Sequence, residues 1–499
     1  MLCFKRLCFI ALLRLGAVAS ESLDNPTGWG LFASDARDRF GDTIGGIGSA
    51  IALEGKSWKR KKDKGEAYEG ILYGLPDRGW NTQGTQNTQS RIHKFRISLE
   101  IVESSLANPA KANVQLKCLD TILLTGPDGT PMTGLDADVT GYFSYKGFPD
   151  LPVATFTGDG FGNDGPGGSR ISLDAEGLVL GKDGTFWISD EYGPYIYQFD
   201  RRGKMIKAIK PPDALLPLRN SSVSFNAASP PIYNPGIKTV PEAPETGRAN
   251  NQGLEALTSS PGGEFLYALL QSAAMQDGGD KSSTRRNTRL LRYRTSAKKI
   301  EYDAEYVVQL PLTPSGKVAG QSEIHFISQS QLLVLARDSG AGHGQKESES
   351  KYRNADIIDI SGATNIKGKE YDSFDGAVAS RNGELKPEIK PDCTARGSPQ
   401  DAGLLNEKWE SFALAPVAEE FQTKGEGRQY YLISFSDNDF ITQNGLSISS
   451  FWRCALANKT GAGYINNGQQ RYSDESGFNS DTQVLVFKVR LPRDADPLL

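Results

Sequence analysis

The sequence predicts an all-β fold: a β-propeller of five or six four-stranded blades with long loop insertions. Three observations carry this reading. Gly is abundant (54 of 499 residues) and His scarce (3), and short alternating apolar and polar runs fill the chain, a pattern of strands and turns rather than helices. A three-part strand pattern recurs in the same order along the chain. The copies differ in length but keep that order, and repeats of small antiparallel sheets are the sequence signature of a propeller. A large β-sandwich is the competing architecture, because it also produces many short strands.

Each copy opens on a strand of the form Glu-small-apolar, continues with an alternating strand that ends in polar or acidic residues, and adds another alternating strand. The first copy opens on "GGIGSAI" at Gly45, without the Glu; "ILYGLPDRGW" follows, ending at Asp77-Arg78, and then "RIHKFRIS" from Arg91. The second has Glu176-Gly177-Leu178, "FWISDE" ending at Asp190-Glu191, and "YIYQFD" from Tyr195. The third has Glu255-Ala256-Leu257, "LYALLQ" ending at Gln271, and "LLRYR" from Leu290. The fourth has Glu323-Ile324, "LLVLARD" ending at Asp338, and "DIIDIS" from Asp356; the fifth has Glu410-Ser411-Phe412, "YYLISFSDND" reaching Asp437, and "VLVFKV" from Val484. Fourth strands are expected at Met205 and Tyr306, and a sixth blade could come from residues 20–44 or 125–173. Segments 125–173, 211–250 and 438–482 are rich in Gly, Pro, Asn and Ser and read as loops on one face.

Residues 1–19 read as a secretory leader: a basic start, the apolar "LCFIALL" and the small-residue site Ala17-Val18-Ala19. Arg14 interrupts the apolar stretch, so a short membrane anchor competes. Residues 20–499 then form a single domain, expected to be secreted, monomeric and without stable membrane insertion. Loss of Lys5, Arg6 and Arg14 takes the net charge from −4 to −7, which speaks against a nucleic-acid partner. Cys118, Cys393 and Cys454 remain, and the expected disulfide joins Cys393 to Cys454. Asn220 and Asn458 head glycosylation triplets.

In an antiparallel pair the start of one strand lies beside the end of the next. Glu176 therefore belongs near Asp190-Glu191, Glu410 near Asp437, and Glu323 near Arg337-Asp338. First strands run the same way around a propeller axis, so these groups should converge as a ring of carboxylates on one face. The same acids could instead cap tight turns through their own backbone amides, and the sequence leaves both readings open.

"DAEGLVLGKDGTFWISDEYGPYIYQFDRRGKMIKAIKPP" from Asp174 and "NQGLEALTSSPGGEFLYALLQ" from Asn251 resemble blocks of the phytase-like family named for an esterase-like activity of phytase. "GGIGSAI…LYGLPDRGW" and "SEIHFISQSQLLVLARDSG" are similar to its other blocks, so the resemblance covers most of residues 40–490. It implies a β-propeller, an exported location and acidic residues concerned with phosphoester chemistry. The Glu-less first copy and the neutral Gln271 depart from a fully acidic ring.

Clustered carboxylates are hard oxygen ligands suited to Ca²⁺. The candidate metal ligands are Asp77, Glu176, Asp190, Glu191, Glu255, Glu323, Asp338, Glu410 and Asp437. A bound cation would reverse the repulsion between an acidic face and a phosphate and could activate water. Candidate catalytic groups are Glu176, Asp190, Glu191 and His343, the last as a general acid; Arg78 and Arg337 could bind a small phosphoester substrate. His93 reads as packed or surface, and His325 could face the channel. No Gly-x-Ser-x-Gly elbow, P-loop or zinc spacing is present. The alternative function is a non-catalytic propeller that binds a surface glycan, a peptide or a cell-surface partner through aromatic loops such as Gly141–Phe148 and Phe451-Trp452.

Overall fold

The computed structural model describes residues 26–79, 84–102, 111–295, 299–338, 353–395, 408–439, 445–448, 469–472 and 481–499. Five strands, Ala50–Leu53, Ala175–Leu180, Leu254–Ser259, Gly320–Phe326 and Trp409–Pro416, are buried along most of their length on both faces. Strands covered on both faces read as continuous rather than alternating apolar runs, as "EGLVL" and "ESFALA" do. Each of the five touches the next, and Trp409–Pro416 touches Ala50–Leu53, so they close into a ring about one axis.

Each ring strand is the innermost strand of an antiparallel blade. Blade one continues through Ala67–Leu75, Arg91–Glu100 and Val114–Leu123, with Lys59–Arg60 as a short addition. Blade two runs through Phe186–Asp190, Ile196–Phe199 and Met205–Ile209; blade three through Phe265–Leu270, Asn287–Arg294 and Glu301–Gln309. Blade four uses Gln331–Arg337, Arg353–Asp359 and Cys393–Ala395. Blade five takes Arg428–Ser436 and Thr482–Leu491, and its outermost strand is Gly28–Phe32 from the other end of the chain. The described residues therefore form a five-bladed β-propeller, and the ring excludes a sandwich. Neither source of a sixth blade supplies one: residues 28–32 complete blade five, and 125–173 contributes a three-stranded sheet of Tyr142–Phe143, Leu151–Phe156 and Gly168–Ile171.

The apolar core is divided among the blade interfaces. Ile51 and Phe95 pack with Ile433 and Val486 between blades one and five. Leu75 and Ile92 meet Phe186 and Ile188, and Val179 and Trp187 meet Leu257 and Leu266. Tyr267 and Leu290 meet Ile324 and Val334, and Leu335 meets Phe412 and Leu432. Burial thins outward: Val114–Leu123 at the rim alternates between covered and exposed positions along much of its length.

Topology also assigns the insertions to a face. The first strand of each blade starts where the second ends, and the fourth finishes on that same side. Segments 125–173 and 211–250, which link fourth strands to the next first strands, lie there, and Asn438-Asp439 leave the second strand of blade five on the same side. We call this side the mouth. Of segment 438–482, most falls outside the described residues; within it Gly445–Ile448 pairs with Gln469–Tyr472.

Closure depends on how tightly the outer strand of blade five approaches blade one. A Cβ on Gly30 would lie 2.3 Å from the Val114 carbonyl oxygen, a backbone atom that cannot step aside. Gly30→Ala should therefore destabilise the protein by about 1–3 kcal/mol, measured by thermal or urea unfolding. An unchanged midpoint would show that this clasp has slack.

Candidate functional site

The register of the inner strands makes the site. In blades two to five the pairing of first and second strands slips by a β-bulge at Ala175/Leu178, Leu254/Ala256, Gln321/Glu323 and Trp409/Ser411. A bulge leaves one residue unpaired and re-aims its side chain. The residues within these slips are Glu176, Glu255, Ser322 and Glu410, and Ser49 holds the matching place in blade one. Just past the second-strand ends stand Asp77, Glu191, Gln271 and Asp437, with Arg337 in the same place in blade four. The equivalence shows in the backbone, where the N–H groups of Glu191, Gln271 and Asp437 donate to the carbonyls of Asp174, Gly253 and Lys408.

These side chains meet at the mouth. Ser49 Oγ donates to Glu176 Oε2 at 2.8 Å. Asp174, Glu176 and Glu191, all buried, bring carboxylate oxygens within 4.8 Å of one another, and Glu255 lies close enough to raise the pKa of both glutamates. Arg78 Nη1 pairs with Asp174 Oδ2 at 2.7 Å and also donates to Asn251. Among the described residues, Glu191 Oε1 and Glu255 Oε2 are buried with no hydrogen-bond partner, as is Asp437 Oδ1 on blade five. Burial, followed by the charge of Glu255, holds the Glu176 and Glu191 carboxyls well above the usual carboxylate range. Burial, followed by the charge of Glu410, pushes Glu255 up to about 8. The acids thus form a buried patch whose carboxyls hold on to their protons, because burial and mutual repulsion disfavour the charged form.

A second acidic group carries its own cation. Asp77, Asp437 and Asp439 also cluster within 4.8 Å, and Lys408 Nζ reaches Asp437 Oδ2 at 3.2 Å, Glu410 Oε1 at 3.4 Å and Asp439 Oδ1. Arg337 pairs with Glu410, and its Nε donates to Ser322 Oγ at 2.9 Å. Asp174 and Lys408 went unread in the sequence. The signal was there: both stand two residues before a bulge glutamate, in "DAE" and "KWE".

The sequence candidates separate accordingly. Glu176, Glu191, Glu255, Asp77, Glu410, Asp437 and Arg337 come together at the mouth. Asp190 does not face it: Asp190 accepts from the N–H groups of Asp174, Tyr192 and Gly193 and from the Tyr197 hydroxyl, so it is a turn device. Burial pushes its carboxyl up to about 8, against the lowering effect of the Tyr192 and Asp174 amides. Glu323 sits one residue past the bulge and lines the axial channel, beside His325 and Leu498; its Oε1 accepts from the Ile324 N–H. Ser322, not Glu323, is the ring residue, because the register slip shifts the frame by one. Asp338 follows the ring residue Arg337 and is half-buried. Arg78 is buried and engaged by Asp174 and Asn251, a setting for a counter-charge rather than an open substrate contact. His343 and Cys454 lie outside the described residues. Cys118 is a half-buried free thiol. His93 is packed against Thr121 Oγ1 at 2.9 Å, and the Asp159 carboxylate serves the amides of its own Gly-rich loop.

A closed five-bladed propeller whose mouth is lined by buried carboxylates and a few basic groups defines the class of protein. The chain matches the Phytase-like family, "Esterase-like activity of phytase", over residues 64–440 and belongs to it. An uncharacterized secreted protein of Arthroderma benhamiae is 52% identical to it over 452 residues, covering 85% of this chain and 88% of that one. The chain is an exported member of the family. Among solved structures, Saccharomyces cerevisiae Sqt1 is 10% identical with a TM-score of 0.25, over 76% of this chain and 68% of that one. A calcium-binding regucalcin of Agrobacterium tumefaciens is 10% identical with a TM-score of 0.24, over 83% and 95%. The WD40 domain of Toxoplasma gondii coronin is 9% identical with a TM-score of 0.23, over 96% and 90%.

Asp190→Ala should leave four donors without their acceptor and lower stability by about 3 kcal/mol. Tyr197→Phe, which removes one donor, should cost about 1 kcal/mol. Urea denaturation of the two variants checks this; equal effects would mean the turn amides find other acceptors.

Proposed function

We propose that the protein is a divalent-cation-dependent phosphoesterase acting on small phosphorylated compounds, with Ca²⁺ held by Glu176, Glu191 and Glu255 beside Asp174. The observation that carries this reading is the pair of buried, unpartnered oxygens Glu191 Oε1 and Glu255 Oε2, next to the Asp174–Glu176–Glu191 cluster. A buried carboxylate oxygen without a donor costs free energy, and a hard cation is a partner that offsets it. The bound ion would supply positive charge for the phosphoryl oxygens and a lowered pKa for water. Glu176 is oriented by Ser49, and Asp174 by Arg78, so the donor set is held before a ligand arrives. Arg337, tethered to Ser322 and Glu410, would face the phosphate from the neighbouring blade. The Asp77–Asp437–Asp439 group is the weaker candidate, since Lys408 Nζ already bonds Asp437 and Asp439.

A second reading has one observation in its favour. Tyr142 is 59% exposed on an insertion at the mouth, and next to it in the chain the Tyr145 ring contacts both Phe143 and Phe148, a surface suited to a glycan. Loss of glycan-array binding on Tyr142→Ala, with no phosphoester turnover by the wild type, would favour this reading.

Two outcomes test the enzyme reading. A panel of phosphomonoesters and phosphodiesters should be hydrolysed with Ca²⁺ present and not with chelator, and Glu191→Gln or Glu255→Gln should abolish turnover while the protein stays folded. No metal-dependent hydrolysis of any member would reject it. Stability should follow pH in a definite direction. The folded carboxyl of Glu255 keeps its proton up to about 8, and that of Asp437 up to about 7, whereas unfolded carboxylates release theirs near 4. The metal-free protein therefore binds more protons than the unfolded chain between pH 4 and 7–8. It should lose at most about 1.4 kcal/mol per pH unit per group as pH rises through that window. Ca²⁺ should stabilise the protein more at pH 8 than at pH 5, because it replaces those protons. Thermal unfolding with and without Ca²⁺ at both pH values measures this; equal Ca²⁺ shifts would count against the site.

A further inference from the structure

Two triplets in the chain have the acceptor form Asn-x-Ser/Thr, Asn220-Ser221-Ser222 and Asn458-Lys459-Thr460. The second lies outside the described residues. Such triplets also arise by chance, so the setting that the fold gives the asparagine decides between accident and site. Leu218-Arg219 pairs with Ser222-Val223, which leaves Asn220 and Ser221 as the two residues of a hairpin turn. Both have left-handed backbones, with φ of 51° and 60°. A two-residue turn with positive φ at both positions matches the twist of its strands, and asparagine adopts that conformation more readily than most residues. The turn therefore uses the Asn220 backbone and makes no demand on its carboxamide.

The tip of the hairpin is open and its base is fixed. Asn220, Ser221 and Ser222 are all exposed. The Asn220 N–H donates to Glu245 Oε1 at 3.0 Å, while its carboxamide has no hydrogen-bond partner among the described residues. The carboxamides of Asn226 and Asn250, in the same insertion, are instead spent on the fold: they donate to the Ala137 and Glu242 carbonyls at 2.6 and 2.9 Å. Below the tip, buried Arg219 donates to the carbonyls of Ser224, Asn226, Pro241 and Glu242 and to the Asn250 side chain. A group attached at Asn220 would stand on a rigid base and displace nothing.

The surface beside the tip is apolar. Val223 follows the triplet and is exposed. Val240 precedes Pro241, whose carbonyl accepts from Arg219 Nε at 3.1 Å. At 75% exposure it is the most exposed large apolar side chain among the described residues, and Ile237 in the same loop is 51% exposed. Apolar groups left open in this way favour self-association, and an attached oligosaccharide is bulky and solubilising.

We propose that Asn220 carries an N-linked oligosaccharide whose inner sugars cover Val223 and Val240. The step joins the Asn220 side-chain nitrogen to the anomeric carbon of an oligosaccharide held on a lipid diphosphate. The carbon–oxygen bond to that diphosphate breaks, the lipid diphosphate leaves with the electron pair, and the nitrogen gives up one proton to solvent. The proposal rests on export of the chain and is independent of the phosphoesterase reading.

Peptide mass spectrometry of the full chain, secreted from a eukaryotic host, tests the attachment. The peptide that holds Asn220 should carry a glycan, and enzymatic release in heavy-oxygen water should turn Asn220 into labelled aspartate. Ser222→Ala should lose the glycan. Ser221→Gly, which keeps the triplet and suits the left-handed turn, should retain it, and all three proteins should melt at similar temperatures. An unmodified Asn220 in the wild type, or a glycan that survives Ser222→Ala, overturns the proposal. Hydrophobic-interaction chromatography tests the covering. Val240→Ser should shorten retention in the Ser222→Ala background and leave it nearly unchanged in the glycosylated protein. An equal shift in both backgrounds overturns the covering role.

Discussion

The structure turns on how closely five inner strands pack around one axis. Strands that meet this tightly bury their backbones and side chains on both faces, and their starting ends are forced together at the mouth. Glycines at the crossing points show how little room is left: a Cβ on Gly253 would come 2.3 Å from the Glu191 carbonyl oxygen, and one on Gly48 would come 2.3 Å from the backbone of Ser436. Whatever side chains stand at those ends must share a small, poorly hydrated volume. In most such places a fold would put apolar or neutral groups. Here it puts glutamates and aspartates, then divides the burden between neighbours that neutralise them and oxygens that find no donor among the described residues.

That division is uneven in an informative way. Near blade five, Lys408 lies among Asp437, Asp439 and Glu410, so the protein carries its own cation. Near blade two, Arg78 serves Asp174 while Glu191 and Glu255 go without. A ring built from five equivalent positions has thus become uneven: Arg337 and Lys408 both bond Glu410, while burial and mutual repulsion leave Glu176, Glu191 and Glu255 holding their protons. Such an arrangement costs stability when empty.

Much of the fold was legible in the chain. The five copies match the five blades, because periodicity of two and the turn chemistry of "SDEYGP" or "LPDRG" are local properties. The convergence of strand ends followed from antiparallel geometry alone. What could not be read was register. A one-residue slip decides which side chain faces the axis, and it placed Ser322 rather than Glu323 in the ring. Asp190 and Glu191 are adjacent in sequence and were indistinguishable there; alternation sends one into a turn and the other into the mouth. Lys408 was missed because its significance lies in the acids at the end of the neighbouring strand. The outermost strand of blade five was missed for a similar reason, since "GWGLF" finds its partner more than four hundred residues later.

That last pairing shapes how the protein is made. Gly28–Phe32 has no place in its own blade until Thr482–Leu491 is there, so blade five is assembled from segments far apart in the chain. Contacts of such long sequence separation form late, because closing the chain into a loop carries an entropic cost that local hairpins avoid. Blades one to four are each built from one continuous stretch of chain and can form while the ring stays open. Only when Thr482–Leu491 pairs with Gly28–Phe32 does the outer strand join blade five and the circle shut. Enclosure of the mouth therefore waits on the pairing with the greatest sequence separation.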